Sequence, residues 1–319
     1  MPERKLPDKD SPEGREVIDA ILARDFQKIL ELWKRYSFAS KASFLHSVKD
    51  VYEVGLSDAT PKIEEYIPIE VNTPSNKHTV FAITNDYQIP YQDKRIVRLT
   101  ERFLAEVVVP DYLIYTGDIP DFYQISKFDK NPSRVDELQA DVSQVKVMLR
   151  RHDQLLPRTK KFWLDGNHEY RLQKFLWTSA RELSSLRCLT IPELFGLGEF
   201  GIPHIPYEHG LMVNGLFLIV HGDIASIHSG YTAKRMYEKH GGCGICGHCH
   251  RMGSFYKRDR FGTWGWWENG CLCDLNPDYI KNPNWVQGFS LIHFFGKRFW
   301  VEQIPIIGGA FVYGGKKYE

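Results

Sequence analysis

The stretch DYLIYTGD, residues 111–118, is a short apolar run that stops at a glycine and an aspartate. The same shape recurs along the chain. TVFAIT (79–84) runs into Asn85 and Asp86. KFWLDGNHE (161–169) ends on Gly166, Asn167 and His168. LFLIVHGD (216–223) delivers His221, and CGIC (243–246) leads into Gly247, His248, Cys249 and His250. Apolar runs of four to eight residues bounded by turn signals read as buried strands. Between them lie helical patterns such as Val135, Leu138, Val142, Val145 and Leu149, spaced by three and four residues. Strands alternating with helices imply crossover connections and a layered α/β fold. In such folds ligands gather beyond the carboxyl ends of the strands, where these polar residues fall.

The bulk properties set the frame. The chain has 319 residues, 43% of them hydrophobic and 25% charged, with a net charge of +1. That balance advertises neither nucleic-acid nor membrane binding. No stretch approaches the roughly 18 apolar residues of a membrane span. The charged start MPERKLPDKD does not read as a secretory signal. Five of the six cysteines fall in the interval 243–273, with Cys188 apart. A cytoplasmic protein with reduced thiols is expected.

Residues 1–75 read as a separate helical extension and 76–319 as the main domain, with NTPSNKH (72–78) as linker. Ile18, Leu22, Phe26, Ile29 and Trp33 predict one amphipathic helix. Leu45, Val48 and Tyr52 predict a second near 43–54. Two short helices invite a DNA-reading motif, but residues 1–75 hold 11 Lys+Arg and 14 Asp+Glu, so 11 − 14 = −3. A DNA-reading element is normally basic, which favours packing or docking.

Asp86, Asp118, Asn167, His168, His221, His248 and His250 mix carboxylate, amide and imidazole. Such a set suits Mn, Fe or Zn rather than a thiolate cage. His248 and His250, two apart on an extended segment, would point to one side. A carboxylate can bridge two ions about 3.5–4 Å apart.

TGDIPD, DGNHE, VHGD and CGHCH, in that order, resemble the GDxxD, GNH(D/E), H and GHxH motifs of calcineurin-like metallophosphoesterases. The match spans roughly residue 79 to the end. IPYQD, GHCHR and GCLCDLNPDYIKNPNW are similar to a phage- and prophage-associated branch of that superfamily. The resemblance implies a layered β-sandwich flanked by helices. It also implies two divalent metal ions, with Mn expected first and Fe, Zn or Ni as alternatives. Asp118 would bridge both ions. Asn167, His221 and His248 would complete one site, and Asp86 and His250 the other. His168 would stand near the leaving group, oriented by Asp121. A hydroxide between the metals would attack phosphorus. The first motif is usually Asp-x-His, whereas here Gln88 takes the third place. An amide oxygen is a poorer donor than imidazole to Zn or Fe, which favours Mn at that site. His78 and His228 are spare.

Arg171 and Arg251 are candidate phosphate contacts, and Tyr87 and Tyr91 candidate pocket residues. The run RMGSFYKRDRFGTWGWW (251–267) interleaves cations with aromatics. It could track a nucleic-acid backbone and stack bases, or form a β-hairpin with one buried aromatic face. Cys243, Cys246 and Cys249 read as small buried hydrophobes. A separate metal site joining them to Cys271 or Cys273 is the alternative. Protein Ser/Thr phosphatases of the superfamily carry Arg after GDxxD, where this chain has Phe122. The resulting expectation is a metal-dependent phosphodiesterase, with DNA or RNA among its candidate substrates. The alternatives are a small-molecule phosphodiesterase or monoesterase, and a metal-poor module that docks a partner.

Overall fold

The computed structural model describes residues 6–22, 26–36, 41–52, 68–127, 130–131, 137–277 and 282–319. The chain divides into two compact units, Met1–Tyr66 and Ile67–Glu319.

The first unit contains helices α1 (Pro12–Leu22), α2 (Phe26–Arg35) and α3 (Lys41–Tyr52). They bury Val17, Ile21, Ile29, Leu32, Phe44, Val48 and Tyr52 against one another. The single helix expected through Phe26 and Trp33 is instead two. Arg35 lies 2.7 Å from Glu16, whereas a continuous helix would separate them by about 28 Å at 1.5 Å per residue. Folding back buries both apolar stripes, which one isolated helix cannot do.

The second unit begins with β1 (Ile69–Val71), ahead of the expected linker and boundary at residue 75. Its neighbour in space, β6 (Leu211–Val213), lies far along the chain and pairs with it in parallel. That pairing draws residues 69–71 into the second unit. Next come β2 (His78–Thr84), α4 (Lys94–Phe103), β3 (Tyr112–Thr116), α5 (Leu138–Leu155), β4 (Lys160–Leu164), α6 (Asn167–Ser179), α7 (Ile191–Phe195) and β5 (His204–Ile205). β7 (Phe217–Val220), α8 (Tyr231–His240), β8 (Cys243–Cys246), β9 (Met252–Asp259), β10 (Gly262–Asn269), β11 (Gln287–Phe295) and β12 (Arg298–Ile306) follow β6. Val135 lies outside the described residues, but Val142, Val145 and Leu149 are buried on α5 as their spacing predicts.

Two six-stranded sheets result, ordered β12-β11-β2-β3-β4-β5 and β1-β6-β7-β8-β10-β9. β2, β3, β4 and β5 run parallel in the first, and β7 and β8 run parallel in the second. Side chains alternate between the two faces of a strand. Phe81, Ile83, Tyr112, Ile114 and Leu164 therefore meet Leu211, Val213, Phe217, Ile219, Ile245 and Trp267 between the sheets. Their neighbours Val80, Ala82, Leu113, Tyr115 and Trp163 pack outward against Ile96, Phe103, Val145 and Leu149 of α4 and α5. On the far side, Leu218, Val220 and Trp266 cover Ala233 and Met236 of α8. The layers are helix, sheet, sheet, helix: the α/β sandwich flanked by helices that the sequence implied. Both faces of β2, β3 and β7 are buried, which is why their sequences read as continuous apolar runs rather than alternating ones.

Candidate metal centre

The carboxyl ends of β2, β3, β4, β7 and β8 converge, and each delivers its expected residues. Carboxylate and imidazole atoms of Asp118, His221 and His248 lie within 4.8 Å of one another. So do those of Asp86, Asp118 and His250, and Asp118 belongs to both groups. Asn167 Oδ1 is 3.0 Å from His221 Nε2. Gln88 is buried, with its amide 3.2 Å from His250 Nε2. Amide orientation follows from the partner, so either end of Gln88 can face the Asp86–His250 group.

Backbone strain is concentrated here. Asp86, Gln88, Asp118, His248 and His250 all have φ between 50° and 66°. Non-glycine residues in that left-handed region cost of order 1–3 kcal/mol each and persist only where the surroundings hold them. The strain also corrects one expectation. His248 and His250 do not sit on an extended segment but on a bend, which assigns them to different ligand groups.

The holding contacts are specific. Glu169, fully buried, accepts N–H bonds from Asp118 (2.9 Å), Ile119 (2.9 Å) and Gly166 (2.8 Å). One carboxylate thus pins the loop after β3 to the loop after β4. Those loops touch so closely that a Cβ on Gly166 would lie 2.2 Å from Asp118 Oδ1, and one on Gly117 2.5 Å from His221 Nδ1. Asp118 Oδ1 accepts from His168 N, and Asp86 Oδ2 from His248 N. Asn85 donates to Asp86 and to Gly270 O, and Asn269 donates to Asn85 and Ile83 O. The Nδ1–H of His221 donates to Thr116 O at 2.8 Å, leaving Nε2 to face Asp118. A ligating histidine is usually tied down in this way.

The electrostatics fit a cation. Burial works against charge on Asp118, but His168 and His221 hold its carboxyl well below the usual range. Burial also opposes a proton on His221 and His250, yet Asp118 and Asp86 hold them up at about 10 and about 9. Protons there balance buried anions that divalent ions would balance better. Burial pushes Glu169 upward, helped by Asp118 and Asp165 and against the pull of the Ile119 N–H.

His168 lies 3.4 Å from Asp118 Oδ2. Its Nδ1 is 3.6 Å from Asp121 Oδ2, beyond hydrogen-bond length. Arg171 closes the gap, reaching His168 Nε2 at 2.7 Å and the Asp121 carbonyl at 2.9 Å. Burial lowers His168 to about 3, with Asp118 opposing and Arg171 assisting. Arg171 is thus tied into the centre rather than displayed on the surface of α6.

Other expectations move. Tyr87 sits in the core beside His152 rather than lining the cleft, because the left-handed turns at Asp86 and Gln88 put it behind the loop. Arg251 donates to Cys249 O at 2.7 Å. Tyr91 packs edge-on against Tyr123. His78 pairs with His293 at the opposite end of β2, and His228 is exposed, so neither reaches the centre. The aromatic run is the hairpin β9–β10, closed where Asp259 faces Gly262. Trp266 and Trp267 are buried and cannot stack bases, while Tyr256 and Phe261 are exposed. Cys243, Cys246 and Cys249 form no shared ligand group among the described residues.

Glu169, Asn85 and Asn269 were not singled out in the sequence. Glu169 had a signal, since an acid three residues after Gly166 at a helix start resembles half of a capping box. Asn269 had none, because it arrives from a distant strand.

The chain is 25% identical over 257 residues to the Gene 54 proteins of Mycobacterium phages D29 and L5. Each alignment covers 75% of this chain and 98% of the relative. Among solved structures it is similar to Vps29 of Chaetomium thermophilum, at 10% identity and a TM-score of 0.41, covering 72% of this chain and 92% of that one. A Vps29 mutant from Entamoeba histolytica aligns at 9% identity and a TM-score of 0.38, with 72% and 94% covered. No protein-family model matches the chain. No described helix is long and apolar enough to cross a membrane.

Proposed function

We propose that the chain is a metal-dependent phosphoester hydrolase acting on phosphodiesters. One observation carries the reading: two ligand groups, buried except for the half-buried His248, share Asp118, the arrangement that two neighbouring ions require. Two divalent ions would supply a nucleophile at neutral pH and offset phosphoryl charge. Asp86, Gln88, Asp118 and His250 would hold one, and Asp118, Asn167, His221 and His248 the other. The oxygen-rich first set, with an amide in place of an imidazole, favours Mn over Zn or Fe.

The protein's own groups do the rest. Glu169 and the Asn85–Asn269 pair hold the carboxylates in place before substrate arrives. The Arg171 guanidinium holds His168 and Asp121 together at the edge of the centre. There Arg171 balances charge on the phosphoryl group, and His168, neutral while Arg171 donates to its Nε2, takes up the proton it passes to the departing oxygen once substrate draws Arg171 away. The absence of Arg after Asp121 separates this site from the protein phosphatases it resembles.

The test uses metal-stripped protein on bis-p-nitrophenyl phosphate and p-nitrophenyl phosphate, with Mn, Fe, Zn, Ni or Mg added singly. Metal-dependent cleavage of the diester, lost in Asp118→Asn, is the expected result. No turnover with any ion would overturn the enzyme reading and favour a module that binds without catalysis.

A further inference from the structure

Behind the centre, His250 turns its second ring nitrogen toward two thiols. Nδ1 of His250 lies 3.7 Å from Cys273 Sγ. The ligand atoms of His250, Cys271 and Cys273 all fall within 4.8 Å of one another, and all three residues are buried. The juxtaposition follows from the backbone. Cys271 and Cys273 are two apart on a bridged segment, so their side chains leave the same side. Main-chain bridges pair Cys271 with Gln287 and Cys273 with Gln92. The Leu272 N–H donates to Asp86 O, the Cys271 N–H to Val286 O, and the Val286 N–H to His250 O. The thiol pair and the imidazole are therefore stitched to one frame, which also carries Asp86.

We propose that His250 Nδ1, Cys271 and Cys273 form a second metal seat, selective for a thiophilic divalent ion such as Zn or Cd, that competes with the hard-ion centre for His250. Two thiolates and one imidazole are a soft set, unlike the carboxylates on the other side of the ring. Zinc takes sulfur at about 2.3 Å and nitrogen at about 2.0 Å, which makes a tetrahedral S···N edge about 3.5 Å long. The observed edge is close to that before any ion draws the ligands in. Binding releases the two thiol protons and the proton that the charged His250 ring carries on Nδ1, all to water, and changes no oxidation state. A neutral imidazole has one lone pair, so His250 can serve the thiol seat through Nδ1 or the Asp86–Asp118 group through Nε2, but not both. Loading the thiol seat thus withdraws a ligand from the first ion. Only this competition rests on the hydrolase reading; the seat itself does not.

The experiment titrates Cd²⁺ into the reduced, metal-stripped full chain and follows the ultraviolet thiolate-to-metal charge-transfer band. A saturable band is expected. Cys271→Ser and Cys273→Ser should each halve it, the double variant should remove it, and Cys243→Ser should leave it intact. Circular dichroism of each variant separates lost ligands from lost folding. In Mn-loaded protein, Cd²⁺ should release Mn²⁺, read by electron paramagnetic resonance. No band, or a band indifferent to both serine variants, overturns the seat and leaves the thiols as packing groups. A band without Mn²⁺ release overturns the competition. A protein that shows the band but hydrolyses nothing refutes the hydrolase reading alone.

Discussion

Replacing Glu169 tests whether the centre is held by its backbone. The carboxylate accepts three N–H groups, two on Oε2 (Asp118 and Gly166) and one on Oε1 (Ile119). Glu169→Gln keeps the shape but turns one acceptor into a donor. Its better rotamer keeps oxygen on the Asp118 and Gly166 side and leaves the Ile119 N–H facing an amide N–H. One buried unsatisfied donor costs about 1–3 kcal/mol. Glu169→Ala strands all three donors. Simple addition gives about 3–9 kcal/mol, and water entry or relaxation will hold the loss toward the lower end. Urea unfolding reads both values through the second unit's transition. The loop also sets where Asp118 sits, so metal affinity should fall by about 10–100-fold in Glu169→Gln, as for other outer-shell partners. Calorimetric titration with Mn²⁺ reads that. An unchanged midpoint together with unchanged affinity in Glu169→Gln would refute the argument, because the three bonds would then hold nothing in place.

His168→Ala should keep metal content while turnover of an alkyl phosphodiester drops by about 10²–10⁴-fold, the usual range for a lost general acid. Equal rates for the two proteins would remove His168 from the mechanism. Glu101 sits on His152 (2.8 Å) and Arg151 (2.6 Å). Burial opposes its charge, but those partners win and its carboxyl is lowered below 4.5. A lowered acid stabilises fully above its unfolded value and loses that contribution as pH falls through the folded one. Thermal melts should therefore decline less steeply below about pH 4.5 in Glu101→Gln than in the parent; parallel curves would refute the assignment.

The strands and the ligand-bearing turns were legible because each is a local pattern. Apolar runs buried on both faces end at Asp86, Asp118, Asn167, His221 and His248, and the parallel strands carry these ends to one edge. Motif order named the candidate ligands without any coordinates. The bend that carries His248 and His250 was not legible, because it depends on left-handed turns at both residues that adjacent residue types do not announce. The same holds for Tyr87, whose neighbours looked suited to a pocket and whose backbone turned it into the core.

The sequence by itself determined the elements, their alternation and the chemical types that reach the strand ends, since periodicity and turn chemistry act over a few residues. Only the tertiary structure decided what those residues meet. Glu169 found three N–H groups, Asn269 came 184 positions along the chain to hold Asn85, and Cys271 with Cys273 came to rest behind His250 rather than beside Cys243. Burial is the physical reason: each of those polar groups had to find a partner inside the sandwich, and the partner is set by packing between distant strands rather than by neighbours in the chain.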